Sequence, residues 1–226
     1  MSQISVFDVL GPIMVGPSSS HTAGCAAIGL LAGKMMNAPL KKAEFILYGS
    51  FAKTYQGHGS DKALLGGLLG FPTDDIRIRD SFSYADQRGL SYSFTPNQED
   101  TDLHPNTVDI YMTDINDGTL FVRGVSLGGG KIQITKINSV KVDFSGEYNT
   151  IIVIHQDRPG VIAHITEALS KRNINIAFMR LFREGKGQLA YSILESDQKI
   201  PSNFSQELSS NEHIHDLILI EKIHLF

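Results

Sequence analysis

Between Ala23 and Met36 almost every side chain is small or apolar, and Gly24, Ala26, Ala27, Gly29, Ala32 and Gly33 recur through the stretch. Nothing else in the chain restricts the fold as strongly. A helix of that composition has no charged face to offer water, so it belongs in a packed interior, where its glycines let a second backbone come very close. Asn37-Ala38-Pro39 ends it. Directly before it stands Gly16-Pro17-Ser18-Ser19-Ser20-His21-Thr22. Proline suits a first helical turn and serines accept from the exposed N–H groups there, so this stretch reads as a loop turning into a helix N-terminus. Free N–H donors and the positive end of the helix dipole make such a junction a seat for a carboxylate or phosphate.

Further along, Glu44 to Gly49 is a short apolar run ended by glycine, the pattern of a buried strand. Gly57-His58-Gly59-Ser60-Asp61 is a second turn carrying a histidine, and Lys62 to Leu65 after it is helical, with Ser60 the expected cap, until Gly66, Gly67, Gly70 and Pro72 interrupt it. Residues 73–104 are polar and poorly periodic. Only Leu90 to Phe94 alternates there like a half-exposed strand. In His104-Pro105-Asn106 the proline holds its predecessor extended, and Thr107 to Met112 alternates as a strand. Asn116-Asp117-Gly118 is a hairpin signal, Thr119 to Val125 returns, and the strand runs into Ser126-Leu127-Gly128-Gly129-Gly130, whose bare N–H groups can curl round an anion. Lys131 to Ile137 alternates again, and Ser145-Gly146-Glu147 reads as a linker, dividing the chain into residues 1–145 and 146–226.

Beyond the linker the pattern is strand (Asn149 to His155), helix (Pro159 to Arg172), strand (Asn173 to Phe182), tight turn, strand (Gln188 to Leu194), short helix (Ser202 to Asn211) and strand (Ile214 to Ile223). This β-α-β-β-α-β series is the ferredoxin-like order. Asp157-Arg158-Pro159-Gly160-Val161, set between its first strand and first helix, resembles the signature turn of the ACT domain, which implies amino-acid binding and edge-to-edge pairing of two copies. The expected fold class is α+β, an N-terminal α/β domain followed by the ferredoxin-like one.

Composition narrows the function classes. With 42% apolar and 19% charged residues in 226 the chain is an ordinary globular protein, and a formal charge of −4 without a Lys/Arg cluster among aromatics argues against nucleic acid as a partner. Met1 to Val6 lacks the basic-then-apolar pattern of an export signal and no segment reaches membrane-spanning length, so the expected location is the cytoplasm, with no membrane partner. Cys25 is the one cysteine. It excludes an internal disulfide and any cysteine-built metal site made by this chain alone.

Three histidines of the N-terminal part, His21, His58 and His104, all lie in turns punctuated by Gly, Ser or Pro rather than on apolar faces. Three imidazoles could hold a catalytic zinc or iron, although none of the pairs has the short spacing that preorganises such ligands. A Ser20, His58 and Asp61 triad has the right groups but lacks the elbow turn around the nucleophile. Cys25, one turn into a small-residue helix, is placed as a buried inert thiol.

Together, Ser18-Ser19-Ser20-His21-Thr22-Ala23-Gly24, Gly57-His58-Gly59-Ser60-Asp61, His104-Pro105-Asn106, Ser126-Leu127-Gly128-Gly129-Gly130 and the terminal ACT-like module resemble, in that order, the beta chain of two-subunit, iron-sulfur-dependent L-serine dehydratases. Ser60 stands where threonine is expected and keeps the hydroxyl. The resemblance implies an N-terminal fold like allosteric substrate-binding domains and conversion of L-serine to pyruvate and ammonia. It implies a 4Fe-4S cluster held by a separate alpha chain, since such a cluster needs at least three thiolates, and no activity for this chain alone. By position, Ser18, Ser19, Ser20 and Thr22 would bind the substrate carboxylate or orient the histidine. His21, His58 and His104 would handle protons or hold the substrate, and Asn106, Ser126, Gly128, Gly129 and Gly130 would complete the pocket. The group that removes the α-proton is left open. A second reading is a non-catalytic amino-acid sensor, because some phosphoglycerate dehydrogenases carry a domain of similar build; such a sensor would not require the motif histidines.

Overall fold

A computed structural model describes residues 13–99, 102–208 and 210–223. The reading of Met1 to Val6 lies outside them. The fold is α+β and divides into two compact units between Asn138 and Ser139, with Ile223 grouped with the first. No helix among the described residues is long and apolar enough to cross a membrane.

In the first unit the small-residue helix is α1 (Gly24–Lys34), preceded by a π-helical turn, Ser19–Ala23. Strand β1 (Leu40–Leu47) follows, then α2 (Gly49–Thr54), α3 (Ser60–Leu68), a 3₁₀ turn (Ile76–Asp80), α4 (Ser81–Gln87) and β2 (Ser91–Pro96). The polar stretch that periodicity left unassigned thus holds a short helix, and β2 alternates exposed and half-buried residues as an edge strand, parallel to β1. Strands β3 (Thr107–Asp114), β4 (Thr119–Gly128) and β5 (Lys131–Ile137) continue antiparallel, so the strands run β2-β1-β3-β4-β5. The Asn116-Asp117-Gly118 turn is made by Asp117 at φ 66° and by the Asp114 carboxylate, which accepts from the N–H groups of Asn116 and Gly118.

The expected close approach is the contact of α1 with α3. A Cβ at Gly29 would collide with the carbonyl oxygen of Leu64, and one at Gly67 with that of Ala26. Gly33 lies against Leu68 near the helix ends, and the Thr22 hydroxyl donates to the His58 carbonyl at their beginnings, so the two helices run in the same sense. Below them Phe45, Leu47, Val108, Ile110, Val122 and Ile134 fill the sheet face without exposure. Full burial of such a side chain is worth about 1.5–3 kcal/mol.

The second unit contains β6 (Val140–Phe144), β7 (Asn149–Gln156), α5 (Val161–Lys171), β8 (Phe178–Arg183), β9 (Leu189–Ser196), α6 (Phe204–Leu208) and β10 (Ile214–Ile220). From β7 onward this is the ferredoxin-like series, with an antiparallel sheet in the order β10-β7-β9-β8. Ile151, Val153, Ile165, Leu169, Leu194, Phe204 and Leu208 form its core. Strand β8 begins at Phe178 rather than Asn173. Asn173 takes φ 55° and Ile174 N–H bonds back to Leu169 O, a left-handed helix end that occupies residues read as strand. The shorter α6 leaves the end of the expected Ser202 to Asn211 helix as turn, Ser209 lying outside the described residues.

Candidate functional site

Gly16 adopts φ 133° with its α-carbon pressed toward the Thr22 side chain, which sends the chain sharply into the serine loop. The Ser18 hydroxyl accepts from His21 N–H at 3.1 Å, and the Ser18 carbonyl takes the N–H groups of both Thr22 and Ala23. The second of these bonds spans five residues and widens the turn to π geometry, a device that re-aims side chains at functional sites. Thr22 is turned inward, and its hydroxyl donates to His58 O at 3.1 Å.

His21 is half-buried, with hydroxyls on both sides of its ring. Nδ1 lies 3.0 Å from Ser20 Oγ and 3.4 Å from Ser18 Oγ, and Nε2 lies 2.9 Å from Ser50 Oγ. Phe51 packs edge-on at 5.3 Å between centroids, and the His58 ring is tilted beside it at 4.8 Å. Burial, and then the neighbouring His58, push the His21 imidazolium below its ordinary range, which favours the neutral ring. His58 Nδ1 is buried without a hydrogen-bond partner.

Ser50 is the residue that sequence reading passed over. It opens α2 just after β1, where Gly49 takes φ 53° with Pro105 so close that a Cβ would stand 2.6 Å from the proline Cα. The N–H groups of Ser50 and Phe51, unpaired within so short a helix, donate to Pro105 O at 2.7 and 3.3 Å. The His104-Pro105-Asn106 loop is therefore clamped to the residue that touches His21. From there Asn106 O accepts from Ser126 N–H at 3.0 Å, and the buried Ser126 hydroxyl, itself without a partner, sits against the α-carbon of Gly24. The path closes on itself, from the serine loop through Ser50, Pro105, Asn106 and Ser126 back to the start of α1. Strand-Gly-Ser at a helix start was the only signal for Ser50, and it belongs to many ordinary junctions.

Some expectations change. Ser60 does not cap α3: Gly59, at φ 66°, takes the cap position, and Ser60 is buried as the first helical residue. The Ser20, His58 and Asp61 triad is not assembled, since Ser20 bonds His21 while Asp61 Oδ1 accepts from Lys62 N–H, and burial raises the Asp61 pKa. His104 is exposed, and its Nδ1 accepts from Asn106 N–H at 3.2 Å. Gly128 ends β4 and Gly129 and Gly130 make the turn into β5, at φ 94°, 61° and 80°; it is Ser126, upstream of them, that enters the closed path. Among the described residues no group of three or more His, Cys, Asp or Glu side chains is arranged to hold a metal ion. Cys25 is fully buried, and burial pushes its thiol far up.

In the second unit Gly160 at φ 89° leads into α5, Arg158 and Pro159 are exposed and Val161 is buried. Asp157 Oδ2 accepts from Gly187 N–H at 3.0 Å and Arg183 Nη1 at 3.1 Å, bonds that hold its carboxyl below the usual range. His155, buried to 1%, has both nitrogens engaged, Nδ1 with Gln156 O and Nε2 with Ser192 Oγ, each at 2.8 Å.

Comparison with known proteins agrees with this layout. Residues 5–93 match the family model described as serine dehydratase beta chain, and residues 149–213 match the ACT domain. A probable L-serine dehydratase beta chain of Bacillus subtilis is 42% identical over 214 residues, covering 95% of this chain and 96% of that one. The L-serine dehydratase beta chain of Peptoniphilus asaccharolyticus is 39% identical over 208 residues, 92% and 94% of the two. More distantly, a D-3-phosphoglycerate dehydrogenase of Bacillus subtilis is 27% identical over 196 residues, only 37% of its own length. The chain belongs to the family of L-serine dehydratase beta chains.

Proposed function

We propose that this chain supplies the substrate-holding half of a two-chain enzyme that eliminates water from L-serine, the resulting aminoacrylate hydrolysing to pyruvate and ammonia. One observation carries the reading: the closed path that joins the serine loop, Ser50, the His104 to Asn106 loop and Ser126 around a neutral His21. Serine offers a carboxylate, an ammonium and a poor leaving group. The serine hydroxyls of the loop before α1 suit the carboxylate, with no lysine or arginine needed. His21 and His58 are the imidazoles beside them that can take or return a proton.

The 4Fe-4S cluster of the proposed enzyme does not fit this chain. A cluster needs at least three thiolates, and the single one available is sealed in the helix interior and held protonated. In this reading the cluster belongs to a separate alpha chain, and the beta chain alone makes no pyruvate. In the second unit the Asp157 to Val161 turn would bind an amino acid or serve the pairing of two copies.

The test is to co-express the chain with a cysteine-rich, cluster-bearing alpha chain and to assay pyruvate from L-serine. His21→Ala should abolish turnover while the far-ultraviolet spectrum and urea midpoint stay near wild type. Near-normal rates in that variant would remove His21 from the chemistry. Serine binding with no pyruvate formed in the presence of any partner would instead favour the sensor.

A further inference from the structure

We propose that Ser50 is a positioning residue, the last member of a hydrogen-bonded chain running Ser18, Ser20, His21, Ser50 that fixes the His21 ring as its Nε2–H tautomer and leaves the Ser50 hydroxyl proton free for an anionic ligand. The argument follows the protons. Ser18 Oγ already accepts the backbone N–H of His21, so its own proton goes to Ser20 Oγ or to His21 Nδ1, each 3.4 Å away. Ser20 Oγ has two described partners, Ser18 Oγ at 3.4 Å and His21 Nδ1 at 3.0 Å, and its proton is assigned to the shorter contact, with Nδ1. A ring nitrogen that accepts from serines carries no proton of its own, and in a neutral imidazole the proton is then on Nε2. Nε2–H donates to Ser50 Oγ at 2.9 Å.

The ring is kept neutral by its burial and by its surroundings, which are hydroxyls, Phe51 and the second imidazole rather than a carboxylate. The Ser50 backbone is held in place, because its N–H is tied to Pro105 O at 2.7 Å and Gly49 before it is pressed against that proline. With its oxygen accepting from His21, the Ser50 hydroxyl proton has no further partner among the described residues. It is the outermost donor of the chain. That the anion is a substrate carboxylate rests on the function proposed above; the tautomer is a property of this chain alone.

The experiment uses the full chain without a partner, labelled with ¹⁵N-histidine, and reads long-range proton–nitrogen correlations of His21, assigned by their loss in His21→Gln. At neutral pH Nδ1 should give the shift of an unprotonated nitrogen and Nε2 that of a protonated one. Ser50→Thr, which keeps the hydroxyl, should preserve this pattern, and Ser50→Ala should move both shifts toward the average of the two tautomers. A wild-type Nδ1–H pattern overturns the proposal without any variant. So does Ser50→Ala that lowers the melting temperature yet leaves the shifts in place, the result of a merely structural role. If Ser50→Ala does not fold, the double variant Ser18→Ala with Ser20→Ala carries the test by removing both hydroxyls that can donate to Nδ1, and an unmoved pattern there overturns the proposal. A failed pyruvate assay would count against the proposed reaction and not against the tautomer.

Discussion

The two units hold their helices in opposite ways. In the first, α1 and α3 meet backbone to backbone, with glycines at 29, 33 and 67 in place of side chains. In the second, α5 and α6 stand off on Ile165, Leu169, Phe204 and Leu208. The first unit gives up apolar volume at that contact to bring two helix beginnings beside one polar loop, while the second spends its interior on volume alone. The histidines repeat the contrast. His155 has a backbone carbonyl on one nitrogen, a serine on the other and almost no exposure, so its role is structural; His21 is half-open and flanked by hydroxyls that can both give and take a proton.

The largest effect should come from removing volume in the second unit. Phe204→Ala is expected to cost about 3–5 kcal/mol in urea unfolding, as a cavity left in a dry core does. A loss below about 1 kcal/mol would mean that this core is not filled as described. Next comes the addition of one methyl group in the first unit. Helix propensity alone would make Gly67→Ala stabilising by about 1 kcal/mol, whereas the collision with Ala26 O predicts destabilisation by about 1–3 kcal/mol. The sign of the change in urea midpoint decides, and a more stable variant would break the comparison.

The smallest effect is in pH dependence. His21 has a pKa lowered from an ordinary 6.5, so the folded chain resists its protonation. Its stability contribution is complete above the unfolded value and is lost as pH falls from about 6.5 through the folded pKa. Asp157 in the second unit, also lowered, starts from 3.8 and loses its contribution only below that. The urea midpoint of wild type should therefore fall between pH 7 and 5 more than that of His21→Ala. Equal slopes would show that the His21 ring is not held neutral.

Much of this contrast was legible from residue types. Small residues from Gly24 to Gly33 announced a tight helix contact, and the serines of the loop before His21 announced a cap, made by Ser18; the strand and helix alternation after Ser145 spelled the ferredoxin-like order. What escaped is what depends on distant pairing. Ser50 is an ordinary serine until β3 brings Pro105 to it. Helix α4 was hidden because Ser81 to Gln87 mixes aromatic and polar residues without a clean apolar stripe, and Ser60 was misjudged because Gly59 can enter a left-handed conformation and take its place.

The closed path around His21 also bears on the order of folding. It joins residues far apart in sequence, 29 apart for His21 and Ser50, and ends on β4 at Ser126, while the bond from Thr22 to His58 beside it spans 36. Helix α1 can begin from local contacts, but closure of such long loops is paid in chain entropy and comes only after β3 and β4 are in place. The environment of the His21 ring is therefore a clock for the last step: a chain with its helices formed and its sheet unfinished has the serine motif intact and no site.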